Sequence, residues 1–258
     1  MKSISLYQDK KTAVHGLDPL NKILYILAAV VAPFLLASRL ATAVFILISA
    51  IILAIGKVLR KTIPMLGFSG LILITVVVVQ GLFRPGNTTP AFTLGSAVFY
   101  REGLLFALGV TLNVINILMS FSILVLTTKP SDMVETFVRM GLSPKLGYVL
   151  SSVFQIIPQM TETMATITDA QRSRGMETEG KLTTRVKAFF PLISPVVMNS
   201  LITTKERAIA LEVRGFDSRQ KKTFLTELKK TGTGKIINAV LVLILILSLA
   251  GRVLIWLR

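Results

Sequence analysis

Leu104 to Leu126 reads LLFALGVTLNVINILMSFSILVL, 23 residues without a single charge. As a helix rising ~1.5 Å per residue it would span about 34 Å, enough to cross a hydrocarbon core of ~30 Å. Four further apolar stretches, Ile23 to Ala37, Leu40 to Ile55, Ile63 to Phe83 and Ile236 to Leu257, come close to that length or reach it. The expectation is an all-α integral membrane protein with about five transmembrane helices. The first two stretches are short and joined only by Ser38 and Arg39, so they form either a tight helical hairpin or a pair that stops short of full depth. No small-residue cleavage site follows the first apolar run, and no cleavable signal is expected.

Hydrophobic residues make up 52% of the chain and its mean hydropathy is +0.70, yet its formal net charge is +16. Apolar and basic residues must therefore be segregated. Counted on alternating sides of the five stretches, 24 Lys and Arg fall on the side of the N-terminus and only five on the other. Basic residues are retained on the cytoplasmic side of a membrane, which places the N-terminus and the segment Thr127 to Lys235 in the cytoplasm and the C-terminus outside. The lone Trp256, at the end of the last stretch, reads as an interfacial anchor. The chain has no cysteine, which removes disulfides and thiolate metal sites.

The segment between the fourth and fifth stretches is far too long for a turn and must have its own structure. A short helix is expected over Pro130 to Met140, with Ser131 and Asp132 near its start and Gly141 as its stop. A second should open at Pro144 and run through Pro158, where a kink is expected, to Arg174. After an exposed linker, Met176 to Thr184, a third should run from Phe189 to Arg214, with Pro191 and Pro195 near its start. Each long helix begins apolar and ends charged. Tyr148 to Ile157 and Phe189 to Ile202 could be two more spans, but each is well short of the ~20 residues a span needs. Long helices on the cytoplasmic membrane face are the preferred reading. The organisation that follows is 1–126 for the N-terminal segment and four spans, 127–235 for the cytoplasmic helices and 236–258 for the last span.

Catalytic groups are sparse. His15, the single histidine, stands beside Asp18 and reads as support for a turn before the first span. No His, Asp and Glu cluster has metal-ligand spacing, no nucleophile motif is present, and no cofactor is expected. Gly234-Lys235 has a P-loop flavour, but Lys229 stands where the first glycine belongs and Ile236 where the magnesium-binding hydroxyl belongs. Any nucleotide must bind another subunit, and the stretch reads as a flexible lead into the last span. None of the five stretches contains Asp or Glu, which speaks against a self-contained channel or secondary carrier; the missing catalytic constellation speaks against a membrane-embedded enzyme. Asn113 and Asn116 read as interhelical hydrogen-bonding groups, with substrate contact from Asn113 as the alternative, and Gly67 and Gly70 as close-packing positions. Ten carboxylates interleave the basic residues of the long segment, so a protein or membrane partner suits it better than nucleic acid.

Two stretches in that segment repeat one pattern: Ser173-Arg174-Gly175 and Val213-Arg214-Gly215, each at a helix end. An Arg before a Gly is ordinary helix-stop chemistry, worth about 0.3 to 1 kcal/mol through the helix dipole. A repeated rigid tip carrying a forked guanidinium also suits entry into a groove on a partner, where an arginine anchor is worth ~2 kcal/mol or more. Two tips imply two docking surfaces, one for each subunit of a dimeric partner.

With these residues in view, the chain resembles the transmembrane T component (EcfT/CbiQ) family of energy-coupling factor transporters. His15-Gly16-Leu17-Asp18-Pro19-Leu20-Asn21-Lys22 is similar to that family's His-x-Leu-Asp-Pro-x-x-Lys, with Asn21 where Thr is more usual. Thr127-Thr128-Lys129-Pro130 resembles its Thr-Thr-x-Pro, Ile156-Ile157-Pro158 its apolar-Ile-Pro step, and the two tips its pair of Ala-Arg-Gly motifs, with Ser173 and Val213 where alanine is usual. The resemblance implies a non-catalytic coupling scaffold in an ATP-driven importer, bound to two ABC-type ATPase subunits and a membrane-embedded substrate-binding S component that delivers a vitamin or a transition-metal ion. It also implies that the long cytoplasmic helices are coupling helices and that Arg174 and Arg214 enter the ATPase grooves.

Overall fold

The computed structural model of the chain describes residues 7, 8, 10, 12–94, 97–176, 182–218, 220, 223 and 232–256. Eight helices dominate them: α1 Pro19–Leu36, α2 Arg39–Ile55, α3 Leu59–Phe83, α4 Arg101–Thr127, α5 Pro130–Arg139, α6 Pro144–Ser173, α7 Leu182–Val213 and α8 Gly232–Trp256. Between α3 and α4 lies a two-stranded antiparallel hairpin that the sequence reading did not expect, β1 Pro90–Leu94 and β2 Ala97–Tyr100. The chain forms two compact units, Ser5–Thr136 with Leu228–Arg258, and one around Phe137–Glu227.

The first unit is an up-and-down bundle of α1 to α4 and α8, and its polar side chains reveal its directions. Lys22 at the start of α1 meets Thr127 and Thr128 at the end of α4, and Asn116 meets Ala29, so α1 and α4 are antiparallel. Thr42 with Asn113 and Ser49 with Ser120 run in step, so α2 and α4 are parallel. Asn21 meets Gly234 at one end while Leu36 lies near Gly251 at the other, so α1 and α8 are parallel. Four of these helices, α1, α3, α4 and Gly234–Leu254 of α8, are long and apolar enough to cross a membrane; α2, at 17 residues, is shorter. The all-α membrane fold is thus present.

Capping residues account for the starts of α1 and α2. Asp18 accepts a hydrogen bond from the Leu20 N–H ahead of Pro19, and Ser38 from the Ala41 N–H. The core joins Tyr25, Ala28, Ala29 and Ala32 of α1 to Phe45 and Leu53 of α2, Met119 and Ile123 of α4 and Leu241 of α8. In lipid there is no hydrophobic drive between helices, so small residues and interhelical hydrogen bonds hold them together. Here Tyr25, Ser49 and Ser120 form a buried chain, with oxygen separations of 2.7 and 3.3 Å.

Two of the expectations change. Gly67 and Gly70 have open space where a Cβ would stand; the close approaches fall at Gly81 and Gly103. A Cβ on Gly103 would stand 2.1 Å from the Gln80 carbonyl oxygen, so α3 and α4 meet backbone to backbone there. The stretch from Gly232 is the first turn of α8, with Gly234 against Asn21, and not a flexible lead. Lys229 to Thr231 and the side chain of Trp256 lie outside the described residues.

The second unit consists chiefly of α6 and α7. Arg207 donates to Gln159 at 2.7 Å, while Phe216 just past α7 packs its ring 5.3 Å from Tyr148 near the start of α6. As the number rises on one helix it falls on the other, so the two run antiparallel. α7 begins at Leu182, seven residues before Phe189, and takes Pro191 and Pro195 into its interior. The two prolines are four residues apart, so the carbonyl that Pro195 leaves without a donor is that of Pro191, and the disruption stays within one stretch of helix. Residues 177–181 of the expected linker lie outside the described residues.

Candidate functional site

Arg174 and Arg214 occupy the same place in the same local structure. At the end of α6 the Gly175 N–H donates to the Arg172 carbonyl at 2.9 Å and the Met176 N–H to that of Gln171 at 3.1 Å. At the end of α7 the Gly215 N–H donates to the Glu212 carbonyl at 2.9 Å and the Phe216 N–H to that of Leu211 at 3.0 Å. These paired bonds define the Schellman stop, and the glycines supply its left-handed residue with φ of +88° and +69°. Each arginine is therefore the last residue before the chain reverses, projecting from a rigid helix tip.

Both arginines are exposed, and among the described residues neither guanidinium has a hydrogen-bond or ion-pair partner. Val213 beside Arg214 is 84% exposed. Ser173 turns its hydroxyl back to the Asp169 carbonyl at 3.1 Å, so towards a partner it offers little more than an alanine would. Ser173, Arg174 and Gly175 thus form one tip, and Val213, Arg214 and Gly215 the other. Because α6 and α7 are antiparallel, the tips stand at opposite ends of the pair, separated by roughly 40 Å along α6 at ~1.5 Å per residue.

The second tip is braced in a way that the sequence reading missed. Asp217 pairs with Lys145 at 2.5 Å and Phe216 packs on Tyr148, so the chain leaving α7 is held against the first turns of α6. Both members of the ion pair are exposed and contribute little to stability, whereas the aromatic contact is worth about 0.5–1.5 kcal/mol. The signal for this was Ser143-Pro144: the Ser143 hydroxyl accepts from the Leu146 N–H at 3.3 Å and fixes where α6 starts.

His15 bonds Thr12 and the Gln8 carbonyl at 2.7 and 2.8 Å in the turn before α1. Among the described residues no group of three His, Cys, Asp or Glu could hold a metal ion. Asn113 accepts from Thr42 but is itself exposed, and Asn116 is buried. An open polar cleft between α6 and α7 is lined by Gln159, Thr163, Asn199, Thr203 and Arg207.

The family CbiQ, cobalt transport protein, matches residues 10–224. The chain is 29% identical over 241 residues to the energy-coupling factor transporter transmembrane protein EcfT of Staphylococcus aureus (strain 04-02981), covering 88% of each chain. It is 28% identical over 256 residues to the protein of the same name from Lactococcus lactis subsp. cremoris (strain MG1363), covering 93% of this chain and 94% of that one. With the Bacillus selenitireducens protein of that name it shares 28% identity over 264 residues, covering 96% of each.

Proposed function

The chain belongs to the CbiQ family of cobalt transport proteins, and on that premise we propose that it is the transmembrane component of an energy-coupling factor transporter in a bacterial cell membrane. In this reading it is a non-catalytic scaffold. Two ABC-type ATPase subunits bind its two Arg-Gly tips, and α6 and α7 carry their closing and opening to an S component that takes up a vitamin or a transition-metal ion. The N-terminus and residues 127–235 face the cytoplasm and the C-terminus faces outside.

The observation that supports this most is the pair of matched tips: two exposed guanidinium groups on identical Schellman stops, without partners among the described residues, at opposite ends of one antiparallel helix pair. A guanidinium is a planar fork suited to bidentate bonding of carboxylates and carbonyls in a groove. A separation of roughly 40 Å, larger than the ~30 Å of a small domain, leaves room for one subunit at each tip. The exposed apolar residues of α6, Val149, Val153, Phe154 and Ile157, and of α7, Ile193, Val197 and Leu201, offer a surface for the S component. The side chain of Phe189, also in α7, lies outside the described ones.

The test replaces both anchors. Arg174→Ala with Arg214→Ala should leave the membrane fold intact while ATPase subunits no longer co-purify, since each lost anchor of ~2 kcal/mol weakens binding roughly 30-fold. Normal recovery of the complex with normal ATP-driven uptake would reduce the tips to helix stops. Purification of the unaltered chain as a lone, fully active transporter would favour a self-contained carrier.

A further inference from the structure

We propose that the hairpin joining α3 to α4 is a lipid-seated element: β1 and β2 lean against the membrane helices with the Phe92 ring facing the headgroup and acyl-chain boundary. The sixteen residues from Pro85 to Tyr100 carry no charge, although Arg84 precedes them and Arg101 and Glu102 follow. A two-stranded hairpin is marginal in water, and exposed strand edges there are ordinarily defended by charged side chains. Here neither edge has any.

Depth follows from Phe99. A Cβ on Gly81 would stand 2.8 Å from its ring and 3.2 Å from Leu104, so that ring lies beside α3 and α4 inside the ends of both helices, which finish at Phe83 and begin at Arg101. Phe92 stacks on Phe99, with centroids 4.7 Å apart and planes 13° apart. It is therefore held within 4.7 Å of that ring while remaining 50% exposed. The neighbouring exposed surface is that of the spanning helices, with Phe83 76% exposed. Lipid that covers Phe83 is continuous with whatever covers Phe92.

Two of the three charges at the root, Arg84 and Glu102, are engaged locally, while Arg101 is exposed. The Arg84 guanidinium lies 3.7 Å from the centroid of Phe106 and donates to the Glu102 carbonyl. The Glu102 carboxylate accepts from the Thr88 hydroxyl and from both the amide and the hydroxyl of Thr89. Between them runs an uncharged ribbon carrying Phe92, Phe99 and Tyr100, the last of a residue type enriched at membrane interfaces. Water in that layer satisfies the strand edges, which the hydrocarbon core could not do.

The test is depth-resolved quenching. Phe92→Trp in a Trp256→Phe background leaves one tryptophan, and the full chain is placed in vesicles of ordinary or chain-brominated phosphatidylcholine. Brominated lipid should remove most of the emission, while aqueous iodide should remove little. Strong iodide quenching with little lipid quenching would overturn the proposal, and protection from both would mean that protein covers the ring. Should Phe92→Trp fail to fold, Ala91→Cys supplies a second probe in a chain without cysteine. Its spin label should be relaxed more by oxygen than by a water-soluble nickel chelate, and the reverse would refute lipid contact.

Discussion

Pro33 lies inside α1 and has no N–H to give the carbonyl four residues earlier, that of Ala29. In a membrane that carbonyl has no water to turn to, and the Asn116 side-chain amide supplies the donor from α4 at 2.5 Å. The two residues therefore form a linked pair. Asn116→Leu should cost about 1 kcal/mol in the native background and much less alongside Pro33→Ala, where the backbone donor returns. Thermal unfolding of the two single variants and the double variant in detergent checks this, and equal costs in both backgrounds would break the link. Gly103 gives a second residue-scale prediction. Its Cβ would collide with the fixed Gln80 carbonyl, so Gly103→Ala should force α3 from α4 at a cost of about 1–3 kcal/mol, measurable as a lower Tm. Gly67→Ala and Gly70→Ala, which meet nothing, should change Tm little.

Among the elements, the Schellman stops show how a backbone motif aims a side chain. Gly175 and Gly215 adopt φ values that an alanine enters only with strain, so Gly175→Ala or Gly215→Ala should unravel the last turn at about 1 kcal/mol while leaving the arginine in place. If aim matters as well as charge, each variant should weaken recovery of ATPase subunits in a pull-down; undiminished recovery would show that the guanidinium alone suffices. These stops were legible in the sequence because Gly after a helical run is a direct backbone signal. So were the main helices, since each apolar run is long enough to determine its own state. The start of α7 was not, because Pro191 and Pro195 read as a beginning while the fold carries them inside. The hairpin escaped notice because Pro90 to Tyr100 is short and lacks strict alternation, and its order comes from Gly81, Leu104 and Glu102, which belong to the neighbouring helices. The close contact of α3 with α4 was equally hidden, since a glycine's neighbours across a helix pair leave no local trace.

For the whole molecule, the segregation of charge sets the direction in which the bundle crosses the membrane. One end of the first unit gathers the N-terminal segment, the turn after α2, the end of α4 and the start of α8: Lys10 reaches the Lys57 carbonyl at 2.6 Å, and Lys22 bonds the Thr127 carbonyl and the Thr128 hydroxyl at 3.0 and 3.1 Å. The two motifs His15 to Lys22 and Thr127 to Pro130, far apart in sequence, thus meet at one place, at the basic end. The opposite end holds the turn between α1 and α2 and the hairpin. Because basic residues are retained in the cytoplasm, the end with Lys10, Lys57, Arg60 and Lys61 should face inward and the hairpin outward. The chain has no cysteine, so single cysteines report sidedness without background. Pro85→Cys and Lys61→Cys replace exposed residues at the two ends. In intact cells a membrane-impermeant maleimide should label Cys at position 85 and spare position 61 until the membrane is opened. Labelling in the opposite order would reverse the orientation.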